Sequence, residues 1–259
     1  MESVSVVVPA HDNEATVERA LASVGRAIDV LLAAHPGVAC EAVVVDDASA
    51  DGTRSAVERF QARDARVRLV VHPRNRGAAA SRNEGARNAR GSLLCFLDAD
   101  DVFLERHLYV CHEVLSTLPD VQAVRTRVKL DEAIHPYWKE TIENSVVFNL
   151  CVRRWCHDFV GGFLEDAAFR VYPVEDAAYR SLLDAFLNVG RVEEETVHHF
   201  RYPGNAFDRQ LAKFRAPPEA AIDTLREEEK RVQPEIERAV KARAELVLRQ
   251  HQSLSRKFR

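Results

Sequence analysis

Apolar residues occur over the first 127 positions in short, nearly unbroken β-branched runs: Val4 to Val8, Ala42 to Val45, Val67 to Val71, Leu93 to Leu97 and Val121 to Val124. Runs of that length without polar alternation suit strands buried on both faces. Between them the period changes. Val17, Leu21, Val24, Ile28 and Leu31 recur at steps of four and three, which predicts one apolar stripe on a helix of about Glu14 to Ala34, ended by His35-Pro36-Gly37. Asp51-Gly52-Thr53 reads as a turn leading into a helix N-cap, and the stretch after Gly77 is rich in Ala, with Gly85 and Gly91 as its only breakers. The alternation βαβαβαβ predicts an α/β domain around a largely parallel sheet.

Beyond residue 127 the rhythm is less regular. Val128 to Asn144 has no clean period and is expected to be a loop or short helices. A helix over Leu150 to His157, a turn at Gly161-Gly162, a helix from about Glu175 to Leu187 and a strand over Arg191 to Phe200 follow. From Pro217 onward the pattern is helical, interrupted or kinked at Pro234.

Composition narrows the class. The 259 residues, 46% hydrophobic and 29% charged with ten Gly and ten Pro, can build one elaborated domain and exclude disordered and collagen-like chains. The longest stretch without a formal charge, Val30 to Cys40, is 11 residues, against about 20 for a membrane-spanning helix. Met1-Glu2-Ser3 leads into a strand without a basic region, so no signal peptide and a cytoplasmic location are expected. Five cysteines without a C-x-x-C spacing are expected to be reduced and structural. A net charge of -4 argues against a nucleic-acid partner.

Ligands of open α/β sheets sit beyond the carboxyl ends of the strands, and three strands here end in polar clusters: Pro9 to Glu14, Asp46 to Gly52 and Asp98 to Asp101. Three acidic ends on one edge repel each other unless something positive is bound. Hard oxygen ligands suit Mg2+ or Mn2+, whose shell the phosphates of a ligand complete. The connection after the third strand is basic instead, His72 to Gly77 followed by Ser81-Arg82-Asn83, and a helix start with small residues favours an anion that Arg82 can hold.

In order along the chain, Val6-Val7-Val8-Pro9-Ala10-His11-Asp12-Asn13-Glu14, Val44-Val45-Asp46-Asp47-Ala48-Ser49, Asn75-Arg76-Gly77 with Ser81-Arg82-Asn83, and Asp98-Ala99-Asp100-Asp101 resemble the successive motifs of family 2 glycosyltransferases of the GT-A fold. Arg153-Arg154-Trp155, Gly161-Gly162-Phe163 and Glu175-Asp176 resemble the acceptor-side pattern, so the resemblance spans about residues 3 to 187. It implies a Rossmann-like, mostly parallel central sheet flanked by helices, with a nucleotide-sugar-binding half (1–127), an acceptor-binding half of the same domain (128–216) and a helical C-terminal extension (217–259). The implied activity is metal-dependent, non-processive transfer of a sugar, with inversion, from a nucleotide diphosphate donor that is usually UDP-linked. The acceptor is an unidentified hydroxyl on a glycan, lipid-linked or small molecule.

Carried over by the resemblance, Pro9, His11 and Glu14 line the nucleoside pocket and Asp47, with Asp46, meets the base. Asp100 and Asp101 hold Mn2+ or Mg2+ and the diphosphate, Asp98 lies on the sugar or ribose side, and Asp176 is the catalytic base with Glu175 beside it. His11 stands where the family usually has Tyr, and Asp166 is a second candidate base. The Gln-x-x-Arg-Trp signature of processive synthases is missing, since Cys151 occupies its Gln position. A late His198-His199 pair is a candidate to close over the diphosphate or complete the metal shell, and Trp138 and Trp155 are candidates to stack on a sugar. Two alternatives remain open, a non-catalytic nucleotide-sugar-binding or scaffolding subunit and a sugar-phosphate nucleotidyltransferase. The latter usually opens with a Gly-rich, basic phosphate loop that Pro9 to Glu14 lacks. Residues 242–259 carry five basic residues and one acidic, fitting either peripheral contact with the inner face of an anionic membrane or a helix packed on its own domain or on a homodimer partner.

Overall fold

Strands β1 (Ser3–Ala10), β2 (Ala39–Asp46), β3 (Val67–Val71) and β4 (Leu93–Phe96) pair in parallel in the order β3-β2-β1-β4. They belong to a computed structural model that describes residues 3–257, with side chains described for 3–250. The apolar runs divide between two cores because successive side chains of a strand point to opposite faces. Val4, Val6, Val8, Ala42, Val44, Leu93, Cys95 and Leu97 face one core, and Val7, Val43, Leu94 and Phe96 face the other. Helix α1 (Val17–Ala34) buries its stripe of Leu21, Val24, Ile28 and Leu31 on the first. Helix α2 (Thr53–Gln61) adds Ala56 and Val57 to the same side.

Helix α3 (Ala78–Asn88) covers the opposite face. Its small residues set its distance from the sheet: a Cβ at Gly85 would run into Val7 Cγ1, so only glycine permits this approach. The close packing carries Arg82 and Asn83 beneath the surface, at 3% and 7% exposure.

The remaining strands and α-helices are β5 (Val102–Phe103), α4 (His107–Thr117), β6 (Ala123–Leu130), α5 (Pro136–Ser145), β7 (Leu150–Arg153), α6 (Arg154–Val160), α7 (Ala168–Val171), α8 (Glu175–Phe186), β8 (Val189–His199), α9 (Ala206–Arg215) and α10 (Glu227–Lys257), with a short 3-10 turn at Pro218–Ala220. They extend the sheet to the order β3-β2-β1-β4-β7-β6-β8-β5. β7 runs antiparallel to β4 and β6, β5 antiparallel to β8, and β6 parallel to β8, so the sheet is mixed.

Three local expectations are corrected. The helix expected over Leu150 to His157 begins only at Arg154. Leu150, Cys151 and Val152 sit between two strands, where the ladders with β4 and β6 take up their backbone groups. Of the two outcomes expected at Pro234, interruption does not occur, because α10 runs through it. An internal proline costs a helix about 3 kcal/mol, and burial of Ile236 with Val232, Ala239 and Val240 against Phe169 and Ala178 offsets that loss. Within 128–144 the chain continues β6 to Leu130 and forms the single helix α5.

α10 is fastened to α6 by Arg243, which donates to the carbonyls of Val160, Gly161 and Gly162, as cations at a helix C-terminus do. Val247 is buried and Leu246 and Leu248 are exposed. The basic tail invoked for membrane contact falls partly on Leu254, Arg256, Lys257 and Arg259, whose side chains lie outside the described residues. Among the described residues no helix is long and apolar enough to cross a membrane, and all five cysteines are free thiols.

Candidate active site

The ends of β1 and β2 clasp each other. Asp47 N donates to Ala10 O (2.8 Å), Asp12 N to Ser49 Oγ (3.1 Å) and Ala50 N to Asp12 Oδ1 (2.8 Å). Asp12 and Ala48 take left-handed backbone (φ 54° and 58°) where the strands turn out, a conformation costing an L-residue about 1–2 kcal/mol that these bonds hold in place. Glu14 turns its carboxylate onto Gly52 N (3.0 Å), and Asp46 accepts from Ser49 N (3.1 Å). Thr53 is the first residue of α2, and its hydroxyl accepts from Asn13 N (2.7 Å). Asp51 Oδ1 accepts from Thr53 N (2.9 Å), so the turn's aspartate satisfies the helix start.

Asp47 is the hinge of the third connection. Its Oδ1 accepts from Arg76 N (2.9 Å) and meets His72 Nδ1 (2.7 Å), and its Oδ2 accepts from Gly77 N (2.7 Å). Gly77 has φ 91°, which suits glycine alone. The 3%-exposed carboxylate thus folds the basic segment over the strand ends. A cleft of about 310 Å³ opens there, lined by Pro9, His11, Asn13, Asn75, Ser81 and Arg82 together with Asp47, Asp98 and Asp100. Glu14 and Asp46 do not line it.

Arg82 joins three carboxylates. Its Nη1 donates to Asp176 Oδ1 (2.6 Å) and Glu175 Oε1 (3.0 Å), and its Nη2 to Asp98 Oδ1 (2.7 Å). Glu175 and Asp176 form the first turn of α8, where the helix dipole favours negative charge. Burial raises the Asp176 carboxyl, Arg82 lowers it, and Glu175 and Asp98 raise it again; the net direction is upward.

The Asp98-Ala99-Asp100-Asp101 turn presents its acids differently. Asp101 is fully buried, with His199 Nδ1 at 2.8 Å from Oδ2 and Phe200 N donating to Oδ1 (3.0 Å). Burial raises its pKa and His199 opposes the rise. Burial lowers His199, but the Asp101 carboxylate outweighs it and the ring ends raised. Asp100 is pushed up to about 7 by burial and by Asp101 and Asp98. Its carbonyl accepts from Arg19 Nη2 (2.8 Å) and Tyr202 Oη (3.0 Å), pinning residues 200–202 to the turn.

A second cleft, of about 400 Å³, shares Arg82, Asp98 and Asp100 with the first and adds Glu175, Asp176 and His199. Its wall is aromatic and comes from distant segments: Trp138 and Ile142 of α5, Phe148, Tyr172, and Phe207, Lys213 and Phe214 of α9. Trp138 donates from Nε1 to Ala216 O (2.9 Å) and lies 4.6 Å beneath Lys213 Nζ. α9 was not among the expected elements, although Asn205 as N-cap and the spacing of Phe207, Leu211 and Phe214 announce it. Trp155, 51% exposed on α6, and Asp166 line neither cleft. His198 pairs with Asp131 (2.9 Å), Arg201 with Glu132 and Asp208, and Arg209 with Glu229.

The model of the family described as glycosyl transferase family 2 matches residues 5–176. A succinoglycan biosynthesis protein of Rhizobium meliloti, ExoO, is 42% identical over 98 residues, which are 38% of this chain and 25% of that protein. The Escherichia coli enzyme WfgD, a UDP-Glc:alpha-D-GlcNAc-diphosphoundecaprenol beta-1,3-glucosyltransferase, is 31% identical over 105 residues, 40% of this chain and 38% of that one. The matched part is thus well under half the length of either relative. Among solved structures, residues 1–349 of Staphylococcus aureus TarS in complex with UDP superpose with a TM-score of 0.61 at 19% identity, covering 82% of this chain and 64% of that one. The Pyrobaculum calidifontis mannosyltransferase PcManGT in complex with GDP-Man and Mn2+ gives a TM-score of 0.60 at 19% identity, covering 96% and 75%. The architecture is that of the GT-A-like glycosyltransferases.

Proposed function

The chain belongs to the family 2 glycosyl transferases, and on that premise we propose that it transfers a sugar from a nucleoside diphosphate donor, UDP-linked in the first instance, to a hydroxyl acceptor in a single inverting displacement. The observation that carries this reading is the meeting of two clefts at Asp98, Asp100 and Arg82, with Asp176 on the second. A donor in the cleft at the strand ends then has its reacting carbon at the junction. An acceptor in the aromatic cleft approaches from the side where Asp176 stands.

The donor set fits a divalent cation. Asp100 faces both clefts and is raised by burial and then by Asp101 and Asp98, and a cation offsets both effects. We assign the metal to Asp100 and His199; Asp101, expected as a ligand, is fully buried and instead fixes the imidazole through Nδ1, as carboxylates behind metal-bound histidines do. Such a cation, Mn2+ or Mg2+, supplies Lewis-acid stabilisation of the departing diphosphate. Asp176, held by Arg82 on the wall of the second cleft, takes the proton of the attacking hydroxyl. Arg82 has its guanidinium committed to three carboxylates, so its part is to hold Asp98, Glu175 and Asp176 together rather than to bind phosphate. His11, 43% exposed on the first cleft, offers an aromatic face to the base.

A screen of nucleotide sugars with Mn2+, with Mg2+ and with chelator tests the proposal. A donor that binds and is slowly hydrolysed only with metal is expected. Binding of every donor equally well in chelator overturns the metal assignment, and binding of none overturns the donor class.

A further inference from the structure

A second cluster of metal-ligating side chains lies at the opposite edge of the sheet. α1 begins beyond the carboxyl end of β1 and ends beside the start of β2, and its C-cap is His35, whose backbone N donates to Leu31 O (2.8 Å). There His35 meets His112 and Glu113 of α4. One ligand atom from each of the three lies within 4.8 Å of the others. His35 Nε2 is 2.5 Å from Glu113 Oε1, and the two imidazole centroids are 4.7 Å apart.

We infer that His35, His112 and Glu113 form a binding site for a divalent ion of the zinc type, separate from the donor site. Two imidazoles and one carboxylate are the donors that Zn2+, Co2+, Ni2+ and Cu2+ prefer and that Mg2+ does not. Ligand atoms of a tetrahedral zinc stand about 3.3 Å apart at metal–ligand lengths of about 2.0–2.1 Å, so modest rotations bring this trio to that spacing. His112 is 6% exposed, which holds one ligand firmly, while His35 and Glu113 keep side-chain exposures of 35% and 39% and have room to adjust. An open groove beside the trio, lined by Pro36, Gly37, Ser92 and Ser116, carries no lysine or arginine and admits the water that completes a four-coordinate shell. A bound ion links the end of α1 to α4 and stabilises the folded chain by mass action.

The test uses the full chain with Zn2+ and, as a spectroscopic probe, Co2+, comparing wild type with His35→Gln and Glu113→Gln, two substitutions outside the core. Wild type is expected to bind one more equivalent of Zn2+ than either variant and to show visible Co2+ absorption without a thiolate band. Its thermal midpoint should rise with Zn2+ and not with Mg2+. Zn2+ affinity should fall at least about tenfold in both variants, no less than loss of an outer-shell partner costs, with UDP affinity in Mn2+ unchanged. Equal Zn2+ stoichiometry and identical Co2+ spectra in the three proteins overturn the site, as does absence of any Zn2+-dependent thermal shift in wild type.

Discussion

Arg82 Nη1 lies 2.6 Å from Asp176 Oδ1, across 94 positions of sequence, and the same guanidinium reaches Asp98 through Nη2 at 2.7 Å. One buried cation thereby fixes the start of α8 against the end of β4. The group is 4% exposed and has three acidic partners, whose side chains are 10% to 28% exposed.

Removing that cation leaves three carboxylates without it in a confined site. Arg82→Gln is expected to destabilise the fold by about 3–5 kcal/mol, the usual cost of breaking a buried ion pair from one side. Denaturant unfolding measures it. A loss under about 1 kcal/mol would mean that water already screens the cluster.

Asp176→Asn keeps the shape of the side chain and removes only proton acceptance. Turnover is expected to fall by about 10² to 10⁴ with donor and metal affinity retained, and the product of the wild-type enzyme should have the anomeric configuration opposite to the donor. Asp166 lies outside both clefts, so Asp166→Asn should keep most activity. Kinetics on the two variants decide between the bases, since a dead Asp166→Asn beside an active Asp176→Asn reverses the assignment.

Asp101 is assigned to the metal through His199. Asp101→Asn should therefore weaken Mn2+ binding by about 10- to 100-fold, and the Mn2+-dependent gain in UDP affinity should shrink with it. Calorimetry with Mn2+ and with chelator reads both quantities. An unchanged gain removes Asp101 and His199 from the metal's surroundings.

His107 gives a stability signature in acid. The ring is buried in contact with Thr196 Oγ1 (2.7 Å), and burial pushes its pKa down to about 3 from 6.5. The folded state therefore binds fewer protons than the unfolded one between those values. Its contribution is complete above about pH 6.5 and is lost as pH falls toward 3. Between pH 7 and pH 5 it amounts to about 2 kcal/mol. Asp100, Asp101 and Asp176 are raised and carry the opposite sign. Comparing the slope of stability against pH in wild type and His107→Gln separates them, and equal slopes would refute the account.

The first four strands and α1 were legible because their signals are local. Unbroken β-branched runs and a 4-3 apolar spacing require no knowledge of partners. The acidic clusters were likewise visible in the order Pro9, Asp46, Asp98, Glu175. What each carboxylate faces was decided elsewhere. Asp47 turns inward onto the backbone of Arg76 and Gly77, Asp101 onto His199 98 positions later, and Arg82 onto two acids more than 90 positions away. β7 is a strand only because β4 and β6 flank it, and the aromatic cleft exists only because α5 and α9 converge. Periodicity records the face an element buries, which each segment encodes for itself. The allocation of hydrogen-bond acceptors among distant donors is settled only when the packed chain brings those donors within 3 Å of one side chain rather than another.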